Sequence, residues 1–184
     1  MTDLNLLAPA LGVSDRTLRR AASRGTIRSL RKSARKLELP VEEALYLGER
    51  WPLLHTLVGE LRTIPNVRLA VLFGSTARGD EHERSDLDIL VRFATPTLRA
   101  RARVARRLEQ AVPREVQIVS LEDANALLLA DVLRDGRVLV DRDRDWQRLC
   151  KKATKIRAEA EAARERLQED LFSGLGALLA EEGS

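Results

Sequence analysis

Two apolar segments joined by a short polar connection do most to limit what this chain can fold into. Val67 to Phe73 is rich in branched residues and has the pattern of a buried strand. Gly74-Ser75 breaks it, and Thr76-Ala77-Arg78-Gly79 predicts a short turn or helix start. Free backbone N–H groups there, with the Ser75 hydroxyl, can grip a phosphate. Ten residues separate Ser75 from Asp86, and Asp86-Leu87-Asp88-Ile89-Leu90-Val91 predicts a second apolar strand. A two-residue spacing on a strand points Asp86 and Asp88 to one face. Carboxylates held so close repel, and a shared Mg²⁺ with oxygen ligands and a bound polyphosphate suits them.

The Gly74-Ser75 pair, the interval and Asp86-x-Asp88 together resemble the signature of the nucleotidyltransferases of the DNA polymerase beta superfamily, and within it the minimal nucleotidyltransferase branch. The resemblance spans about residues 65–140. It implies an α+β fold, a small mixed β-sheet flanked by helices. By the same resemblance Gly74 and Ser75 bind the nucleotide, and Asp86 and Asp88 are catalytic metal ligands; Arg78, one helical turn from Ser75, is near enough to touch a bound triphosphate. A third acid on the next strand would complete the metal site. That strand is Arg114 to Val119, where the register places Gln117 in the acid's position, while Glu115 lies two residues away on the same face. Gln117 offers a carbonyl oxygen but is no base. The sequence leaves Glu115 and Gln117 both open as the third catalytic residue.

At 184 residues, the chain has room for one ordinary domain with an appendage or for two small ones. With aromatics at 3%, its core must be aliphatic. The single cysteine, Cys150, excludes an internal disulfide and suits a reducing cytoplasm. No apolar run is long enough for a membrane span, so no membrane partner is expected. Charge is uneven. Residues 1–40 hold nine Lys and Arg against three acids, although the whole chain carries only +4. The basic excess sits at the N-terminus, as expected of a part that meets a polyanion.

Within that N-terminal part, Leu11-Gly12-Val13-Ser14 predicts a turn, with Ser14 capping a helix from Asp15. Leu18 and Ala21-Ala22 face inward; Arg16, Thr17, Arg19, Arg20 and Arg24 stay outside. Pro9 falls in the preceding helix, against its propensity. The segment resembles the helix-turn-helix of the MerR and excisionase families, which implies that Arg16, Thr17, Arg19, Arg20 and Arg24 contact double-stranded operator DNA. Arg28 to Pro40 predicts a basic hairpin wing.

Val41 to Thr63 is helical by period, with a break expected near Gly48. A polar loop, Gly79 to Arg84, should keep its acids solvated. Pro96 to Ala111 is a helix, its inner face including Leu98. Another helix should start at a Ser120 cap and run to about Leu133, before a closing strand, Arg137 to Asp141. Asp143 to about Leu179 predicts one long helix with a heptad-like seam through Leu149, Ile156, Ala160 and Leu167. It is open to wrapping its own domain, forming a homodimer or docking a partner.

The chain thus divides into a winged helix-turn-helix (residues 1–47), a nucleotidyltransferase domain (48–141) and a C-terminal long helix (142–184). The resemblance implies a Mg²⁺-dependent transfer of a nucleoside monophosphate from a nucleoside triphosphate, ATP foremost, to an acceptor hydroxyl. The minimal branch is similar to antitoxins that nucleotidylate a partner toxin, often of the HEPN type. The alternative is a DNA-binding regulator whose transferase domain is degenerate.

Overall fold

The computed structural model describes residues 2–31, 37–82 and 85–181. Strand β1 (Thr2–Asp3) leads into helix α1 (Leu4–Ala10), where Pro9 stands beside the last residue and so costs little of the helical ladder. Gly12 takes φ +65° in the turn that follows. Ser14 caps α2 (Asp15–Arg24) by accepting the Thr17 N–H at 3.2 Å, and Leu18 is fully buried beneath it. Strands β2 (Leu30–Arg31) and β3 (Leu37–Leu39) pair antiparallel, and β1 adds to the other side of β3. The tip of the expected wing, with Lys32, Arg35 and Lys36, lies outside the described residues, as do Glu83 and Arg84.

Helix α3 (Val41–Arg62) runs without the expected break at Gly48, and passes through Pro52 as well. Its buried face, including Leu47, Trp51, Leu54, Leu57 and Leu61, holds the helix where local propensity is poor. The central sheet has the order β6-β5-β4-β7. Its strands are β4 (Val67–Phe73), β5 (Leu87–Phe93), β6 (Val116–Ser120) and β7 (Arg137–Asp141). Strand β4 is antiparallel to both β5 and β7, whereas β5 and β6 are parallel. A parallel pair needs a crossover, supplied by α5 (Leu98–Ala111). A short helix, α4 (Gly74–Arg78), starts the connection from β4 to β5. The result is a mixed α+β fold built on a small four-stranded sheet.

Alternation along the strands sorts the core into two sides. Leu72, Leu87, Ile89 and Val91 join α3, α5 and the N-terminal helices in one continuous cluster. Leu69, Val71, Leu90 and Val138 face the opposite way, toward α6 (Ala126–Asp135). The N-terminal segment also covers the free side of β7. Val138 N–H donates to the Gly25 carbonyl at 3.1 Å, and the Thr26 hydroxyl donates to the Val138 carbonyl.

Three helix expectations need correction. Ser120 is buried at the end of β6 and precedes only a single 3₁₀ turn, Leu121–Asp123, which its side chain does not cap; α6 starts later, where Asn125 accepts the Leu128 N–H at 2.9 Å. Leu98 opens α5 but is 80% exposed, because the helix meets the core only from Ala100 onward. The C-terminal helix is two: α7 (Asp145–Lys151) and α8 (Ala153–Glu181), separated at Lys152. That break lets Ile156 and Ala160 pack with Leu149 against Ala130 of α6. The first half of the seam therefore serves its own domain, while Leu167, Leu171 and Phe172 remain exposed.

Candidate active site

The site forms where β4 ends. Gly74 adopts φ +73°, a conformation that side chains resist, and turns the chain sharply into α4. Antiparallel register sets Phe73 opposite Asp88. Gly74 therefore lies against the Asp88 carboxylate: a Cβ there would overlap Oδ2 and stand 3.3 Å from Cγ. Ser75 follows, half-buried, and its carbonyl accepts the Gly79 N–H at 2.8 Å to close the short helix.

Asp88 points to the Leu90 side of the sheet, half-buried, and Asp86 stands exposed just before β5. Burial pushes the Asp88 carboxyl above its ordinary range. The Asp86 charge pushes it further, and Arg78 opposes both. The parallel ladder sets Asp88 level with Gln117. Partners across a parallel ladder share a face, so an amide occupies the place beside Asp88. Glu115 precedes β6, exposed, and its carbonyl accepts the Leu87 N–H at 2.9 Å. Among the described residues, no three His, Cys, Asp or Glu side chains gather as a metal cage. Two carboxylates and an amide carbonyl are all hard oxygen donors, a set that fits a divalent cation sharing its remaining positions with phosphate oxygens.

Arg78 leans toward protein acids: its Nε donates to Asp80 at 2.9 Å, and Nη1 lies 3.5 Å from Asp135. The hydrogen bond to Asp80 is the main reason its pKa is raised. The DNA-contact candidates all lie on α2. Arg16, Arg20 and Arg24 are exposed, Arg19 pairs with Asp15 at 2.5 Å, and the Thr17 hydroxyl shares a 2.9 Å hydrogen bond with Ser14. Thr17, Arg20 and Arg24 also edge a groove of about 280 Å³ against α3.

Several side chains that shape the site do not show in its motif. Arg114 joins its two limbs, since Nε donates to the Ser85 carbonyl and Nη2 to the Thr76 hydroxyl, each at 3.0 Å. Glu81, expected to be solvated, has its side chain only 4% exposed, with Arg50 at 2.6 Å and Arg114 at 3.7 Å. Both guanidinium groups lie on Oε1, while Oε2 is buried without a hydrogen-bond partner among the described residues. Under α4, the Tyr46 hydroxyl donates to the Thr76 carbonyl at 3.0 Å and Arg137 Nε to the Ala77 carbonyl at 2.8 Å. Arg137 is buried, forms a fork with Glu43 at 2.6 and 2.9 Å, and lies 3.5 Å above the Tyr46 ring. Burial pushes the Tyr46 phenol up to about 12, although the Arg137 charge opposes it. A signal was present in the sequence: an arginine opening an apolar strand after Gly136, and the chain's only tyrosine.

Known proteins resemble this chain in sequence and fold. Residues 56–145 match the model of the family described as polymerase beta, nucleotidyltransferase. The protein adenylyltransferase MntA of Shewanella oneidensis is 31% identical over 116 residues, which cover 62% of this chain and 83% of that protein. A chain in the crystal structure of a toxin-antitoxin with AMP-PNP superposes with a TM-score of 0.55 at 30% identity, covering 65% of this chain and 98% of that one. A chain in a structure of the tri-AMPylated Shewanella oneidensis HEPN toxin in complex with MNT antitoxin gives 0.53 at 26% identity, covering 67% and 98%. This chain is a nucleotidyltransferase and belongs to the polymerase beta nucleotidyltransferase family.

Proposed function

We propose that the protein is an antitoxin that moves adenylate from ATP to a hydroxyl on a partner toxin of the HEPN type. The observation that carries this reading is the contact between Gly74 and Asp88, which brings the α4 turn directly against one member of the acid pair. Backbone N–H groups of α4 and the Ser75 hydroxyl would hold the β- and γ-phosphates. Asp86 and Asp88, with the Gln117 carbonyl, would hold Mg²⁺, which neutralises phosphate charge when bound. The acceptor oxygen attacks the α-phosphorus, the bond to the bridging oxygen breaks, and pyrophosphate leaves. Positioning and electrostatics supply most of the rate. Gln117 cannot take the hydroxyl proton, which passes to solvent water; Glu115, the remaining acid beside β6, is the alternative acceptor. The adenylyltransferase and AMPylated-toxin relatives support ATP and a toxin as the reactants.

On this reading α2 is the DNA-contacting helix of a winged helix-turn-helix, supported by its Ser14 cap and outward Arg16 and Arg20. A second reading, a regulator with a degenerate transferase, is favoured by one observation: Gln117 stands level with Asp88 where a carboxylate would complete the site.

The two readings separate by incubating the protein with labelled ATP, Mg²⁺ and its co-expressed neighbour, beside an Asp86→Ala/Asp88→Ala variant. Label on the neighbour that the variant fails to transfer supports the antitoxin. Operator binding with no label from either protein supports the regulator.

A further inference from the structure

Helix α5 turns toward solvent a row of guanidinium groups that the proposed chemistry does not use. Arg99, Arg103 and Arg106 are spaced by four and three residues, so they share one side of the helix, and all are exposed. At 1.5 Å per residue the row spans about 10 Å. Arg101 and Arg107 are already paired, with Asp123 and with Glu60. Among the described residues, no acid forms an ion pair with Arg99, Arg103 or Arg106.

These three arginines line an open groove of about 780 Å³ between α5 and the end of α3. Its apolar lining is limited to Ala102 and Ala111. A protein partner would find no aromatic or large aliphatic anchor there, the feature that carries most interface energy. A phosphate backbone needs none, because its affinity comes from counterion release. The groove's far wall is the last turns of α3, through Glu60. On the other flank of the same turns, Gly59 and Arg62 border the groove that Arg20 and Arg24 of α2 share. The end of α3 is thus a ridge with arginines on both sides.

We infer that the α5 face is a second phosphate-contact site for duplex DNA, continuing over the α3 ridge from α2. The choice of duplex DNA as occupant rests on the reading of α2 as a DNA-contacting helix.

The test is anisotropy of a labelled duplex of arbitrary sequence, titrated with the full chain over a range of salt. An Arg99→Gln/Arg103→Gln/Arg106→Gln variant should flatten the slope of log K against log salt by about 2.7, or about 0.9 per lost phosphate contact. It should also bind about tenfold more weakly at low salt, while the matching triple lysine variant keeps the wild-type slope. Glutamine keeps helix propensity, so an unchanged circular-dichroism melt shows that the fold survives. Unchanged affinity and slope would overturn the inference. So would weakened capture of single-stranded RNA or of an acidic protein with duplex binding intact. An Arg16→Ala/Arg20→Ala variant is run in parallel. If it alone weakens binding, the α5 inference fails and the α2 reading stands; if only the α5 variant does, the α2 reading fails and with it the continuous surface inferred here; weakening by both supports the inference.

Discussion

Gly74 and Asp88 meet across the β4–β5 ladder so closely that a methyl group on the first would collide with the carboxylate of the second. Gly74→Ala should therefore displace Asp88, and it also puts a side chain at φ +73°. The backbone penalty is about 1–2 kcal/mol, and a misplacement near 1 Å costs about 10²-fold in rate. Initial rates of label transfer and a urea midpoint measure the two effects separately. A near-wild-type rate would show that the turn does not set the acid's position.

Asp88→Asn should abolish transfer yet stabilise the fold at neutral pH. The wild-type carboxyl titrates above its ordinary range, through burial and the Asp86 charge, so the folded state holds that proton more tightly than the unfolded chain does. Stability from the protonated form is complete below the unfolded value, about 3.9, and is lost as pH rises through the folded pKa. The asparagine variant escapes that loss. Its melting point should exceed wild type at pH 7, with a gain of about 2–4 °C per kcal/mol, and the two should converge in acid. Parallel curves at all pH values would count against an ionised Asp88.

Gln117→Asp should raise the transfer rate by about 10²-fold, the usual worth of a positioned general base, and add an acidic limb to the pH profile. Glu115→Gln alone should leave the rate within about threefold, because the β5–β6 register gives the place beside Asp88 to residue 117. Loss of all activity in Glu115→Gln would reassign the proton acceptor to Glu115.

Arg137→Met and Glu43→Gln should each cost about 3–5 kcal/mol, since each strands its partner's charge in the core. The double variant Glu43→Leu/Arg137→Met should cost far less than the sum of the two singles. Equilibrium denaturation of the cycle reads the coupling directly, and additive losses would show that the pair acts independently.

What the sequence made legible was local. The strand Val67–Phe73, the glycine turn and the acid pair lie within one short stretch, although β5 starts only at Leu87, so Asp86 stands just before the strand rather than on it. The family resemblance left Glu115 and Gln117 both open for the third position, and only the β5–β6 register sets Gln117 level with Asp88. Ser14 was found as a cap because its partner, Thr17, is three residues away. Arg137 and Glu43 are 94 residues apart, and no local pattern couples them. The break at Lys152 was hidden for a related reason: the apolar seam continues through it, and only α6, folded alongside, decides where the helix must turn.

The hydrogen bonds between Gly25, Thr26 and Val138 have an implication for handling the protein. They occupy the outer rim of the catalytic sheet, where an unshielded strand invites another chain to pair with it. A fragment trimmed to the transferase half would surrender more than its basic arm. It would leave that rim open to pairing with another chain.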